Sequence, residues 1–206
     1  MGENARRLRF TGHIAGLGTG SGVRMVIGSW RESPFGRFAD VMVEAADGQR
    51  ILLAPTDEVA EFVSATYDFD SVDIGPIGVE HDPDGFSLTA PGLDVAGRLG
   101  GPAPFDGLLR LVPPRLATAP AWLRAIDPVA SRLIPGVRTA GSAGNGRREY
   151  YGVRRSRRIV AVAGSFRGAD LDGLVPLDPP VRFGFSSAPS TPQMVSVTTT
   201  IDLPAR

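Results

Sequence analysis

The segment most able to do chemistry is Arg147 to Arg158, RREYYGVRRSRR, in which six of twelve residues are arginine and two tyrosines stand side by side. Guanidinium planes and phenol rings together suit phosphate contact and base stacking. On a strand, Arg148, Tyr150 and Arg154 share one face and Arg147, Glu149, Tyr151 and Arg155 the other. The patch is thereby divided, and the sequence pI of about 6.7 lies far from the basic balance of nucleic-acid binders. The sequence therefore argues against nucleic acid and for a solvated strand answering an acidic surface. Just before it, Gly141–Arg148 (GSAGNGRR) approaches the spacing of a phosphate-binding loop, but Arg147 and Arg148 replace the lysine and the hydroxyl residue. A weaker anion-holding role through backbone N–H groups stays open.

Other candidates are weaker. GLGTGSG at 16–22 fails the dinucleotide pattern in both frames and runs into strand-like sequence, which reads as a hairpin turn. The run Asp68-Phe69-Asp70-Ser71-Val72-Asp73 has valine and aspartate where a calcium loop needs a ligand and a glycine. His13 and His81 are the only histidines, with no metal-ligand spacing, so no metal site is expected. A Ser/His/Asp triad lacks a nucleophile elbow to mark it.

Composition removes whole classes. There is no cysteine, which excludes disulfides, thiolate nucleophiles and cysteine metal sites. All 22 basic residues are arginine, so no imine can form on a lysine. No cofactor is expected. Net charge is zero but lopsided: residues 1–103 carry eight arginines against fifteen acidic residues, and residues 104–206 fourteen against seven. The halves can neutralise each other within one fold or between two copies. No apolar run approaches the ~20 residues of a membrane span, and the N-terminus lacks a uniformly apolar stretch, so the reading is a soluble cytoplasmic protein. Residues 105–138 are basic and apolar, but prolines at 113, 114, 120, 128 and 135 break any long interfacial helix.

The elements that must position such residues read as a single α+β domain over 1–206, a mainly antiparallel β barrel or sandwich with about three short helices near 57–66, 105–112 and 120–134. Strands are expected at 7–17, 22–31, 39–45, 49–54, 72–80, 86–95, 148–154, 158–166, 181–185 and 193–202. Asp47-Gly48 and Asp82-Pro83-Asp84-Gly85 are turn signals. Thr56 suits an N-cap, and Asp127-Pro128 suggests a new helix start, giving two short helices or one kinked helix.

The runs SPFGRFADVMVEAADGQRILLAPTDEVAEFV, PAWLRAIDPVASRLIPGVRTAGSAGNGRREYYG and PPVRFGFSSAP…VSVTTTI together resemble a conserved actinobacterial family of uncharacterised proteins, and the likeness brings no activity with it. The Ser33–Gly36 loop leading into a hairpin is similar to that of acetoacetate decarboxylase-like barrels, which implies a barrel around a small-molecule cavity. That family works through a lysine imine, and this chain has no lysine, so the mechanism does not carry over.

These readings converge on a cofactor-free β domain that binds a small organic molecule, with the arginine supply favouring an anionic one. Trp30, Glu32 and Phe35 are expected at the cavity mouth, and Arg138, Arg148 and Tyr150 as anion contacts. The rival is a salt-sensitive homodimer or interaction module without a pocket, joining the acidic 57–94 region to the arginine-rich segment of a second copy. A third reading is a hydrolase or isomerase built from dispersed Asp, Glu, Tyr and His residues.

Overall fold

The computed structural model describes residues 6–133, 137–184 and 188–204. Alternating apolar residues set the first four strands, β1 (Arg7–Thr19), β2 (Arg24–Glu32), β3 (Phe38–Glu44) and β4 (Arg50–Ala54), each antiparallel to the next. The β3–β4 turn places Gly48 at φ +88°, a region that favours glycine. Helix α1 (Asp57–Ser64) follows, its Val59 N–H capped by Thr56 Oγ1 at 3.3 Å. It carries the chain over to β5 (Ser71–Ile74), which lies parallel to β4. Strands β6 (Gly78–His81), β7 (Gly85–Ala90) and β8 (Leu93–Pro102) then form successive hairpins.

Three helices, α2 (Asp106–Leu111), α3 (Pro114–Ala117) and α4 (Pro120–Leu133), precede β9 (Ala140–Ser142). The long β10 (Arg148–Phe166), two short strands β11 (Ala169–Asp170) and β12 (Leu174–Val175), and β13 (Gln193–Asp202) complete the sheet. Its main order is β5-β4-β3-β2-β1-β13-β10-β8-β7-β6. The sheet curls into a half-barrel. Ile51 and Leu53 of β4 share one core with Phe86 and Leu88 of β7, although six strands separate them in the sheet. That inner core also holds Leu17, Met25, Val41 and Val162. The alternate residues of the same strands face outward, where α1, the α2–α4 segment and the 176–184 loop cover them.

The α+β half-barrel agrees with the expected class, and the differences are local. The sheet is mixed, because α1 supplies a parallel crossover. Among the described residues four α-helices form where about three were expected. The expected strand 72–80 is split by Gly75-Pro76 into β5 and β6, and 86–95 is a hairpin whose turn, Pro91-Gly92, sets Gly92 at φ +67°. The two strands expected at 148–154 and 158–166 are one, with a register shift between Val153 and Arg155. Residues 181–184 form a loop rather than a strand, and 185 lies outside the described residues, as does 134 of the expected second long helix. Asp127-Pro128 starts no new helix: α4 runs through it to Leu133, and Asp127 Oδ1 accepts the Thr139 and Ala140 N–H groups at 2.7 and 3.1 Å. This ties α4 to β9.

Glu44 anchors the 176–184 loop. It is fully buried, and its Oε1 accepts Arg24 at 2.8 Å and the Arg182 guanidinium at 3.0 and 3.1 Å, while Oε2 accepts the Arg182 N–H at 2.9 Å. Arg24 also donates to the Pro179 carbonyl at 2.7 Å. Glu44→Ala leaves Arg24 without its carboxylate, and urea unfolding is expected to show a loss of about 3 kcal/mol; a loss near zero would mean that the loop is held by its apolar contacts alone.

Candidate functional site

Between the outer face of the sheet and its roof lies a cavity of about 450 Å³. Strand alternation decides its floor: Phe10, Ile14 and Gly16 of β1, Val26, Gly28 and Trp30 of β2, and Phe38, Asp40 and Met42 of β3 all point into it. Strands β13 and β10 add Val197, Thr199, Glu149 and Tyr151. Leu108 and Leu109 of α2, Trp122 and Ile126 of α4 and Phe183 of the loop close it from above. The lining is overwhelmingly apolar and aromatic, with a few polar groups, which is the usual make-up of a small-molecule site.

Two carboxyls stand in this apolar surround. Asp40 is 4% exposed, and its Oδ1 accepts the Trp30 indole N–H at 2.9 Å. Burial pushes its pKa up to about 6, against the opposing pull of the Trp30 hydrogen bond. Among the described residues it has no ion pair, and Oδ2 has no hydrogen-bond partner. Glu149 is fully buried, and burial pushes its pKa to about 7, against the hydrogen bonds of Tyr67 and Tyr151 and the charge of Arg147.

Glu149 forms a closed trio with the two phenols. Tyr67 Oη lies 2.8 Å from Glu149 Oε2 and 2.7 Å from Tyr151 Oη, and Tyr151 Oη lies 3.0 Å from Glu149 Oε2. Burial and the neighbouring Glu149 hold both phenols well above their ordinary pKa, so both keep their protons. Tyr67 Oη also lies 3.0 Å from Glu149 Oε1, so two phenol protons serve four contacts. The phenols stabilise the carboxylate, burial favours the neutral acid, and burial wins. The charge of Asp40 also contributes to raising the Tyr151 phenol.

Of the residues expected at the site, Trp30 and Arg138 line the cavity. The Arg138 guanidinium is engaged by Asp127 at 2.9 and 3.0 Å. Phe35 packs in the aromatic cluster behind the wall, 5.0 Å from Phe62 between ring centroids. Glu32 is exposed and contacts Arg31 at 3.3 Å. Arg148 and Tyr150 alternate to the opposite face of β10, where Arg124 lies over the Tyr150 ring at 6.0 Å. Up to Val153 the faces follow the expected alternation, and the one that enters the cavity carries Glu149 and Tyr151; past the register shift Ser156, and not Arg155, joins that face. The glycine-rich loop docks on α1 instead of cradling an anion: Gly144 N–H and Asn145 Nδ2 donate to Thr66 and Ala65 carbonyls at 3.0 and 2.8 Å.

Sequence reasoning did not single out Asp40, Tyr67, Glu149 or Tyr151. The signal for Asp40 was a lone acid in an otherwise apolar strand, Phe38-Ala39-Asp40-Val41-Met42-Val43. The two histidines converge on the inner face, with ring centroids 5.1 Å apart and His81 Nε2 3.2 Å from Ser29 Oγ. Burial lowers the pKa of both. Among the described residues no group of three or more histidine, cysteine or acidic side chains is placed to hold a metal ion. Nor is any helix among them long and apolar enough to cross a membrane.

No protein-family model matches the chain, and no curated protein sequence matches it. Among solved structures it is similar to an acetoacetate decarboxylase from Legionella pneumophila subsp. pneumophila str. Philadelphia 1, at 10% identity and a TM-score of 0.42, with 97% of this chain and 86% of that one covered. This is a faint likeness of fold, and none of the site's chemistry is taken from it.

The two raised carboxyls make stability depend on pH. Their folded pKa values, about 6 and about 7, lie above those of the unfolded chain, so the folded state binds extra protons in between. Their contribution is fully present below about pH 4 and disappears as pH rises through 7, on the order of 3 kcal/mol per group. Urea unfolding between pH 5 and 8 is expected to show this decline in the wild type and a flatter profile in Asp40→Asn/Glu149→Gln; equal slopes would place both carboxyls in ordinary solvent.

Proposed function

We propose that the protein binds a small, neutral, largely apolar organic molecule in the cavity, with its one or two polar groups directed at Asp40 and at the Tyr67–Glu149–Tyr151 trio. The carrying observation is a cavity of about 450 Å³ whose apolar walls surround two buried carboxyls without an ion-pairing arginine among the described residues. A neutral ligand fits this lining better than the anionic one the arginine supply suggested. Asp40 repels an anion when ionised, and Arg138 is already paired with Asp127.

The rival reading, a self-associating module, needs free arginines in the 147–158 segment. Several have internal partners. Arg147 lies over the Phe62 ring at 4.6 Å and donates to the Phe62 carbonyl at 2.8 Å, Arg155 is 3.6 Å from Asp106, and Arg157 donates to the Gly100 carbonyl at 3.0 Å. The charge halves also meet within the fold, at Arg182–Glu44 and Arg167–Asp73.

Both tryptophans of the chain, Trp30 and Trp122, line the cavity, so intrinsic fluorescence reports its occupancy. Titration with neutral N-phenyl-1-naphthylamine is expected to quench this emission and saturate. The anionic probe 8-anilinonaphthalene-1-sulfonate should bind more weakly, and Ile14→Trp, which fills the floor, should abolish binding. Tighter binding of the sulfonate would return the reading to an anionic ligand.

A further inference from the structure

We propose that this cavity is an isomerase site for neutral carbonyl compounds, in which Asp40 shuttles a proton between two carbons while the Tyr67–Glu149–Tyr151 trio holds the carbonyl oxygen. The inference rests on the binding reading and adds a reaction to it.

The two polar groups of the cavity lining are chemically unlike. Asp40 offers one oxygen, Oδ2, with no partner among the described residues, while Oδ1 is fixed by the Trp30 indole. Such a carboxylate is oriented, poorly solvated and able to accept a proton. The trio is the reverse. With Glu149 neutral it contains three O–H groups and no net charge, closed on itself through contacts of 2.7 to 3.0 Å. Opening one of those contacts frees a donor toward a ligand oxygen without new desolvation, so charge developing on that oxygen meets a preformed partner. A base and a neutral donor cluster lining one apolar cavity fit proton abstraction next to a carbonyl.

The step balances without a co-reactant. Asp40 Oδ2 takes a proton from the carbon next to the carbonyl. The C–H electron pair becomes a carbon–carbon double bond, and the carbonyl π pair moves onto oxygen, where a trio O–H donates to it. In a β,γ-unsaturated ketone the protonated Asp40 then delivers its proton to the γ-carbon. The double bond moves into conjugation, the carbonyl re-forms and the carboxylate is restored. The substrate class is a neutral, mostly apolar ketone, because a second negative charge would oppose ionised Asp40. The other ionisable groups lining the cavity are Tyr67, Glu149 and Tyr151 of the trio and Arg138, which Asp127 holds.

The test uses 2-tetralone, a neutral bicyclic ketone with acidic C–H bonds, in deuterated buffer. Exchange of its α-protons is followed by proton NMR, and binding by tryptophan quenching. The wild type is expected to accelerate exchange over buffer by about 10²-fold or more. The rate should rise as pH passes about 6, where Asp40 ionises, and fall beyond about 7, where the trio loses a proton. Asp40→Asn should bind 2-tetralone yet exchange it no faster than buffer, and Tyr151→Phe should slow exchange while leaving the rise near pH 6. If Asp40→Asn fails to fold, Asp40→Glu keeps the carboxyl, moves it by one methylene, and should lose most of the rate. Binding of 2-tetralone with exchange no faster than buffer overturns the catalytic inference and leaves the binding reading standing. Absence of binding by both 2-tetralone and N-phenyl-1-naphthylamine overturns both.

Discussion

A carboxyl removed from water must find a partner or keep its proton, and the outer face of this sheet is arranged around two that do so. Asp40 on β3 and Glu149 on β10 stand with three strands between them, each in an apolar wall, each held by neutral donors rather than by an arginine. Their surroundings answer to that constraint. Gly28 carries no side chain because the Asp40–Trp30 hydrogen bond lies directly above it; a Cβ there would stand 2.5 Å from Asp40 Oδ1 and 2.8 Å from Trp30 Nε1. Tyr67 reaches the trio only because α1 ends just before it, and the Thr66 and Ala65 carbonyls at that end receive the 144–145 loop. The site is assembled from segments whose polar groups are otherwise satisfied.

The two faces of the sheet divide the work of folding and binding. The inner face packs Leu17, Met25, Val41, Ile51, Leu53 and Leu88 at or near zero exposure into one continuous core. The outer face leaves a hollow that its roof does not fill. The roof is attached at a few polar points, Asp127 to the β9 strand and Glu44 to Arg24 and Arg182. Small apolar clusters also hold it: Val59 and Val63 of α1 pack on Leu52, and Leu177, Val181 and Phe183 of the loop pack against Val26 and Met42. The largest core thus lies on the face away from the cavity, while the cavity side holds smaller clusters around two buried carboxyls and empty volume.

The strands β1 to β4, the capped helix α1 and the C-terminal strand were legible because their alternation and turn residues are local signals. What the sequence withheld was non-local. Whether a long strand is one or two depends on the partners that bridge its bulge, as at Val153 to Arg155. The split of 72–80 follows from β5 joining one edge of the sheet and β6 the other, which no window of residues reveals. The site was half visible. The two faces of the RREYYG strand could be separated on paper, but the choice between Tyr150 and Tyr151 depends on which face α4 and the 176–184 loop cover. Arginine density drew attention to side chains that prove to brace backbone carbonyls, Arg147 and Arg157 among them, while the consequential acids were single residues in apolar strands.

The position of β13 bears on how the sheet is made. It pairs with β1 along one edge, from Arg7↔Asp202 to Gly16↔Gln193, and with β10 along the other, yet it follows every other described strand in sequence. Without β13, β1 and β10 would each present a long open edge of unpaired amides and carbonyls. Closing a loop of nearly the whole chain is slow compared with forming hairpins. Until β13 is in place, those two edges are open to pairing with strands of a neighbouring chain, so the closure of the sheet hangs on this one central strand.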